Sequence, residues 1–202
     1  EEKRWMATHP RVNVVLFSGD KAAPVTILGA DGQLRGMAFD LLSIVRLKTG
    51  LNFEYSTVDN AIQLMQRVKT AEVDMFASLT PSTQSSQQIL FTRPYLRSAY
   101  AITTRANRSD IHSLPDLRGK RLAMVSGSGA EDLIRSHFPD ITLVPVENEP
   151  ALMESVTEGR ADAAVGILMM SDYQIKSYYP RQLKIVATVG DRPAWISFGV
   201  GP

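Results

Sequence analysis

Three polar stretches stand where a chain could grip a small molecule. The first is the loop Thr80 to Ser86, which follows the apolar run Met75 to Leu79; with Ser78, Leu79 and Thr80 at the junction, backbone and hydroxyl groups are free to face a ligand. The second is Ser126-Gly127-Ser128-Gly129, just before a helix expected from Ala130. Exposed amides at a helix N-terminus, with glycines allowing close approach, favour an anion such as a carboxylate. The competing reading is that Ser126 or Ser128 only caps its own helix. The third is Asp59-Asn60, which either faces a ligand or caps the helix that follows.

Catalytic chemistry finds little support. Gly127-Ser128-Gly129 is not the Gly-x-Ser-x-Gly elbow of a serine nucleophile, and Asp132 stands where a phosphate-binding fingerprint needs its third glycine. His9, His112 and His137 are isolated, without metal-ligand spacing. There is no cysteine, which excludes thiol catalysis and a disulfide scaffold. The methionines within Ala163 to Met170 fit a core better than a cofactor box, so neither cofactor nor metal is expected. With 22 basic and 21 acidic residues mixed along 202, a net charge of +1 gives no footprint for nucleic acid or an anionic membrane. No apolar run approaches the roughly 18 residues of a membrane span. The chain opens on Glu1-Glu2-Lys3-Arg4 without a basic-then-apolar leader, so any targeting segment is expected outside it.

The elements that must position these stretches alternate. Glu1 to Pro10 reads as a short helical lead-in, Val12 to Phe17 as a strand, Ser18 to Pro24 as a turn, and Val25 to Leu28 as a short strand. Met37, Leu41, Ile44, Val45 and Lys48 mark a helix stopped by Gly50; Leu51, Phe53 and Tyr55 alternate as a half-buried strand; Ala61, Met65 and Val68 mark the next helix, and Val73 to Leu79 is a strand. The second half repeats the plan: strands at Arg121–Val125, Thr142–Val146, Asp162–Val165 and Lys184–Thr188 enclose helices at Ala130–Phe138, Ala151–Glu158 and Met169–Tyr179. Such alternation implies parallel pairing through crossover helices. The stretch Ala-Glu-Val73-Asp74 is echoed by Gly-Arg-Ala161-Asp162, each before an apolar strand, which implies two lobes of one design. The predicted lobes are residues 1–102 with 190–202, and residues 103–189. The crossing is expected at Tyr100, Ala101, Ile102 and Thr103, with Trp195 to Val200 returning to the first lobe. In open α/β sheets ligands sit beyond the carboxyl ends of strands, so a cleft between the lobes is the default site.

Gly32-x-x-x-Gly36-x-x-x-Asp40, Val73-Asp74, and Ile89-Leu90-Phe91-Thr92-x-Pro94-Tyr95 together resemble the family 3 bacterial solute-binding proteins. So do Leu114-x-Asp116-Leu117-x-Gly119-Lys120-Arg121, Ser126 to Gly129, and Gly159-Arg160-Ala161-Asp162-Ala163. The opening Trp5-Met-x-x-His9-Pro10 before the first strand resembles the Venus-flytrap sensor domains of hybrid histidine kinases of the BvgS/EvgS kind. The resemblance implies an α/β fold of the two-lobed periplasmic-binding-protein (Venus-flytrap) type, with mixed, mainly parallel sheets and a double-crossover hinge. It also implies a further helix after Trp195 to Pro202.

Carrying the family's binding residues over exposes two substitutions. Where amino-acid binders hold an arginine for the ligand carboxylate, six residues before Phe91, this chain has Ser85. Where they hold an aspartate for the ligand ammonium, it has Ile167, and Val58-Asp59-Asn60 occupies the region of a usual aromatic. Asp40, Asp74 and Asp162 are expected to be structural; Arg93 and Arg97 could replace the missing cation or be solvated. The function implied is a periplasmic ligand-sensing domain of a sensor histidine kinase in the bacterial inner membrane. It would bind an amino acid or small organic acid and signal by lobe closure. Its partners would be the ligand and other domains of the same receptor, with a homodimer through the parent protein compatible and no nucleic acid involved. The domain itself would not be an enzyme, although a few members of this fold are dehydratases. The alternative is a free substrate-binding protein of an ABC importer.

Overall fold

The computed structural model describes residues 2–70, 72–82 and 85–201. Ala71 of the internal echo, Thr83 and Gln84 of the polar loop, and the terminal Glu1 and Pro202 lie outside the described residues. The chain forms two compact units: residues 1–79, 86–95 and 197–202, and residues 80–85 with 96–196. Apart from the loop 80–85, which is grouped with the second unit, it passes from the first to the second after Tyr95 and returns after Ile196, several residues from the expected boundaries.

In unit 1, a short helix α1 (Glu2–Thr8) leads into β1 (Arg11–Phe17). The expected strand Val25 to Leu28 is only β2 (Ile27–Leu28), which pairs with β3 (Leu34–Arg35) in a small hairpin. Gly36 then turns the chain at φ 110°, where a Cβ would come 2.5 Å from the Val25 carbonyl oxygen. Only glycine fits so close an approach, which gives the Gly36 of the motif a physical reason. Helix α2 (Met37–Thr49) follows and closes on Gly50 in the left-handed conformation. Next come β4 (Asn52–Val58), α3 (Ala61–Lys69) and β5 (Met75–Leu79). β1 lies between β4 and β5, parallel to both. Val15, Val58, Leu64, Val68, Val73, Phe76 and Ile89 form the buried core. The apolar stripe of α3 thus falls on Leu64 and Val68, with β6 (Leu90–Phe91) completing the segment after Ile89.

In unit 2, the apolar segment Tyr100 to Ile102, which reads as a strand between the lobes, is the middle of β7 (Leu96–Arg105), a single ten-residue strand. It precedes β8 (Arg121–Val125), α4 (Glu131–His137), β9 (Thr142–Val146), α5 (Glu149–Thr157), β10 (Ala163–Ile167) and α6 (Leu168–Tyr178). β8 pairs in parallel with β9 and β10, while β7 runs antiparallel to β10. All five residues of β10 are buried, as befits a strand covered on both faces. The core gathers Ala123, Val146, Leu152, Met153, Val156, Ala161, Ala164, Ile175 and Leu183. Of the two methionines within Ala163 to Met170, Met170 is buried, as a packing role requires, and Met169 is half-buried.

β11 (Leu183–Val200) is one strand of 18 residues. Up to Ile196 it pairs antiparallel with β7 in unit 2, and from Ser197 it pairs antiparallel with β5 and β6 in unit 1. The sheets are therefore mixed, with parallel interiors and antiparallel β7 and β11.

The three aspartates expected to be structural divide. Asp74 accepts the Asn13 N–H at 2.8 Å and so ties β5 to β1. Asp162 accepts the Arg121 N–H at 2.9 Å and the Arg108 guanidinium at 2.9 Å. Partial burial opposes ionisation of Asp162, but those donors outweigh it and hold the carboxyl far below the usual range. Asp40 lies in the first turn of α2, where its charge complements the helix dipole.

Candidate functional site

Each unit presents its own polar edge. In unit 1 the parallel strands β4, β1 and β5 end side by side, so Ser18, Asp59 and the pair Ser78–Leu79 mark one rim of the sheet. The Ser18 N–H donates to the Val58 carbonyl at 2.9 Å, and this holds the chain leaving β1 against the end of β4. Lys21, three residues on, turns its ammonium onto Asp59 Oδ1 at 2.7 Å and Ser18 Oγ at 2.8 Å, while Ser18 Oγ donates to Asp59 Oδ1 at 2.5 Å. The Lys21 ammonium first, and then the Ser18 hydroxyl, lower the Asp59 carboxyl from its ordinary range. Asn60 is a helix cap: its Oδ1 accepts the Gln63 N–H at 3.0 Å, and Gln63 Oε1 accepts the Asp59 N–H at 2.8 Å. Asp59 therefore does no capping with its side chain.

Ser78 is buried at the end of β5 and Leu79 is half-buried. Beside them the Tyr95 hydroxyl donates to the Ala77 carbonyl at 2.7 Å, and its ring stacks on Phe198 at 4.5 Å between centroids. Burial raises the Tyr95 hydroxyl well above its ordinary value.

In unit 2 the rim is formed where β8 and β10 end and β7 begins. Ile167, last residue of β10, stands opposite Tyr100. A methyl added at Gly129 would meet Tyr100 Oη at 2.7 Å, the Pro81 carbonyl at 3.4 Å and Thr80 Cγ2 at 3.7 Å. Thr80, Tyr100, Gly129 and Ile167 are thus brought together within this unit. Tyr100 was expected at a crossing, yet Tyr100, Ala101, Ile102 and Thr103 lie inside β7, paired with Ile167, Gly166, Val165 and Ala164. A strand hydrogen-bonded along β10 belongs to the body of its unit, which is why the passage between units falls at Tyr95 instead.

The remaining expected donors are engaged locally. The Gly127 N–H donates to the Glu131 carboxylate at 2.9 Å, so the helix's own acid occupies an amide expected to face an anion. Helix α4 begins after Ala130 with no side-chain cap, so neither Ser126 nor Ser128 serves as one. Ser126 is exposed; the Ser128 hydroxyl is buried and without a hydrogen-bond partner among the described residues. Ser85 Oγ accepts the Ser82 N–H at 2.9 Å and lies 3.0 Å from Ser82 Oγ. The residue standing where amino-acid binders place arginine therefore closes a serine turn. Of the two arginines weighed as replacements, Arg97 stacks over Trp195 at 5.4 Å and Arg93 is exposed.

Two groups at these rims gave no signal in the sequence. One is Lys21, a lone lysine in a turn. The other is Glu149, first residue of α5, which reads as an ordinary acidic residue beside the Asn148 cap. Its carboxylate is instead buried: Oε1 accepts the Ile167 N–H at 3.1 Å, and Oε2 has no aligned partner among the described residues, the neighbouring Ser171 hydroxyl included. Burial pushes the carboxyl up to about 7, against the smaller pull of the Ile167 N–H and the Ser171 hydroxyl. Burial also pushes the Tyr100 hydroxyl up to about 12, with the Glu149 charge adding to the effect and the Gly129 amide opposing it. Among the described residues no cluster of three His, Asp or Glu is arranged to hold a metal, and no helix is long and apolar enough to cross a membrane.

Two α/β units with mixed sheets, entered and left on long antiparallel strands, define the Venus-flytrap class of the periplasmic-binding fold. The chain belongs to the bacterial extracellular solute-binding proteins, family 3, which its residues 14–165 match. It is 31% identical over 196 residues to the virulence sensor protein BvgS of Bordetella bronchiseptica, a match covering 97% of this chain and 16% of that protein. Over 197 residues it is 26% identical to the sensor protein EvgS of Escherichia coli, covering 98% of this chain and again 16% of the relative. The chain therefore spans about one sixth of the length of these sensors. The crystal structure of the periplasmic VFT2 domain of Bordetella pertussis BvgS superimposes with a TM-score of 0.91 at 30% identity, covering 98% of this chain and 84% of that one. The chain is thus a solute-binding Venus-flytrap domain related to those of sensor proteins.

Proposed function

We propose that this chain is a periplasmic ligand-sensing domain of a longer, membrane-bound sensor histidine kinase, and that it takes an amino acid or small organic acid. The observation that carries the reading is the extent of the match to BvgS, which runs through 97% of this chain yet occupies 16% of the sensor. A solute-binding domain that makes up one part of a sensor fits the role of an input module. The likeness to the periplasmic VFT2 domain supports the same compartment. Its partners are then the ligand and the neighbouring domains of its own receptor, with homodimerisation a property of the whole protein. Ligand recognition falls to the rims, where polar groups end the strands of each unit. Output requires that the ligand bind one arrangement of the domain more tightly than another, since equal affinity for both transmits nothing.

The test is a chimaera in which this chain replaces the matching domain of a BvgS-type sensor, read by a reporter gene downstream of the kinase. Adding amino acids and small organic acids should shift reporter output, and the active compound should raise the melting temperature of the isolated chain by mass action. A compound that binds the chain tightly while leaving every functional chimaera unresponsive points instead to a carrier, and the sensor reading fails.

A further inference from the structure

We infer that the end of unit 1 where β1, β4 and β5 begin, opposite its polar rim, is the surface on which a neighbouring domain of the same receptor docks, through an apolar face with an acidic margin. This rests on the sensor reading and names a surface for it. The elements that meet there follow from the strand register. Arg11 of β1 lies beside Asn52 of β4, whose N–H donates to the Pro10 carbonyl at 2.8 Å. Helix α1 leads into β1, and the last turn of α2 leads through Gly50 into β4. Beyond β5, Val200 of β11 is paired with both Met75 of β5 and Leu90 of β6. Eight large hydrophobic side chains are exposed among the described residues, and five of them belong to these elements: Trp5 on α1, Ile44 and Leu47 on the last two turns of α2, Leu90 and Val200. Single exposed apolar residues are ordinary, whereas five sharing one end of a unit point to an interaction surface. Leu42 and Ile89 supply the buried contacts of their segments, so Leu47 at 86% exposure and Leu90 at 68% are surplus to the core of the unit. Trp5 keeps one ring face open, the other being stacked on His9 at 4.7 Å between centroids.

The margin of this end is basic. Arg4, Arg46, Lys48 and Lys69 are exposed and form no ion pair among the described residues, whereas Glu54 is engaged by Arg11 and Asp74 by the Asn13 N–H. A partner that covers the leucines must therefore carry acids around an apolar centre, because charges at a rim select the partner and fix its register. A second copy of this chain brings the same basic margin and would be repelled. A neighbouring domain is the occupant that the sensor reading supplies. In Bordetella pertussis BvgS the matched domain covers 38% of the crystallised periplasmic domain, so the larger part of that periplasmic chain lies outside it. A receptor built that way joins its neighbours to unit 1 at this end, since β1 is entered and β11 is left there. The covalent tether raises the effective concentration of the neighbour, so a modest apolar face is enough to hold it.

The experiment is cysteine labelling of the full-length receptor polypeptide with a membrane-impermeant fluorescein maleimide, which is selective because this chain contains no cysteine of its own. Leu47→Cys and Leu90→Cys probe the face. Ile62→Cys, 68% exposed on the first turn of α3 at the opposite end of unit 1, is the control, and the unsubstituted receptor supplies the background. In the isolated domain, shown to be folded by circular dichroism, all three should label at similar rates. In the receptor Leu47→Cys and Leu90→Cys should label at least tenfold more slowly than Ile62→Cys. Adding Leu47→Glu to Leu90→Cys should restore the fast rate, since a carboxylate set against an apolar partner with an acidic margin expels it. Equal rates for all three in the receptor overturn the docking surface and leave solute sensing to the reporter chimaera, which does not depend on this face. Slow labelling of the isolated domain that deepens with protein concentration assigns the face to a second copy. Slow labelling induced by phosphatidylglycerol vesicles, or lost from the receptor on transfer to detergent, assigns it to the membrane. Either result overturns the proposal. A receptor polypeptide that holds no domain besides this one removes the sensor reading and the docking surface together.

Discussion

Glu149→Gln should remove a pH dependence that the native domain carries. The buried carboxyl titrates at about 7 in the fold against 4.5 in the unfolded chain. The acid is raised, so the sign runs as follows: below about pH 4.5 both states hold the proton and the group leaves stability untouched. Between 4.5 and 7 the unfolded state releases its proton while the native state keeps it, so stability falls as pH rises. Above 7 both are ionised and the loss is complete. The interval is 7 − 4.5 = 2.5 pH units, which corresponds to about 3 kcal/mol at about 1.4 kcal/mol per unit. Glutamine can accept the Ile167 N–H through its carbonyl and donate to the Ser171 hydroxyl through its amide, so it should fit in place of the neutral acid. The variant should therefore match the wild type near pH 4.5 and exceed it by about 3 kcal/mol at pH 8, on the order of 10 °C in melting temperature for a chain of this length. Urea titrations followed by tryptophan fluorescence at half-unit steps from pH 4.5 to 8 give the comparison, with Trp195 as a reporter in unit 2. Other groups titrate alike in both proteins and cancel in the difference. A gap that stays constant across the range would refute the buried-acid account.

Gly166 has the carboxyl as its neighbour: an added methyl would lie 2.6 Å from Glu149 Oε2, 2.7 Å from Ser171 Oγ and 3.0 Å from Leu152 Cδ1. Gly166→Ala should thus cost roughly 1–3 kcal/mol by overpacking, seen as a lowered urea midpoint. In unit 1, Asn60→Ala should lose about 1 kcal/mol by uncapping α3, with Asn60→Asp restoring most of it. Equal midpoints for Asn60→Ala and wild type would show that the cap contributes nothing.

The parts of this fold that follow from local pattern were legible in the sequence. Arg121–Val125 and Thr142–Val146 are strands over the very residues expected, because a continuous apolar run between turns leaves few alternatives. Gly50 stopped α2 for the reason its type suggests. What escaped was long-range. β7 and β11 run beyond the segments Tyr100–Ile102, Lys184–Thr188 and Trp195–Val200, because Gly190, Asp191 and Pro193 read as a break inside β11 and the full lengths are set by partners far away in sequence. The site was less legible than the fold. Ser85 has a hydroxyl that any sequence reading leaves free, and only the folded turn shows Ser82 consuming it. Asn60 as a cap could be read from its place before Ala61, whereas Asp59 next to it acquires its meaning from Lys21, 38 residues earlier. Glu149 illustrates the same limit: charge is written in the residue type, but its burial depends on β10 and α6 packing over it.

The 18-residue strand β11 sets an order of events for a chain made and exported from its N-terminus. All of residues 96–196 is available before Ser197 to Val200, the residues of β11 that pair with β5 and β6, appear. Until then the edge of β5 stands unpaired, a row of free N–H and C=O groups on a strand containing Met75, Phe76 and Leu79. An open edge of that kind is a template for association with other chains. A premature stop a few residues short of Val200 would therefore be expected to leave unit 2 whole and convert unit 1 into the part that aggregates.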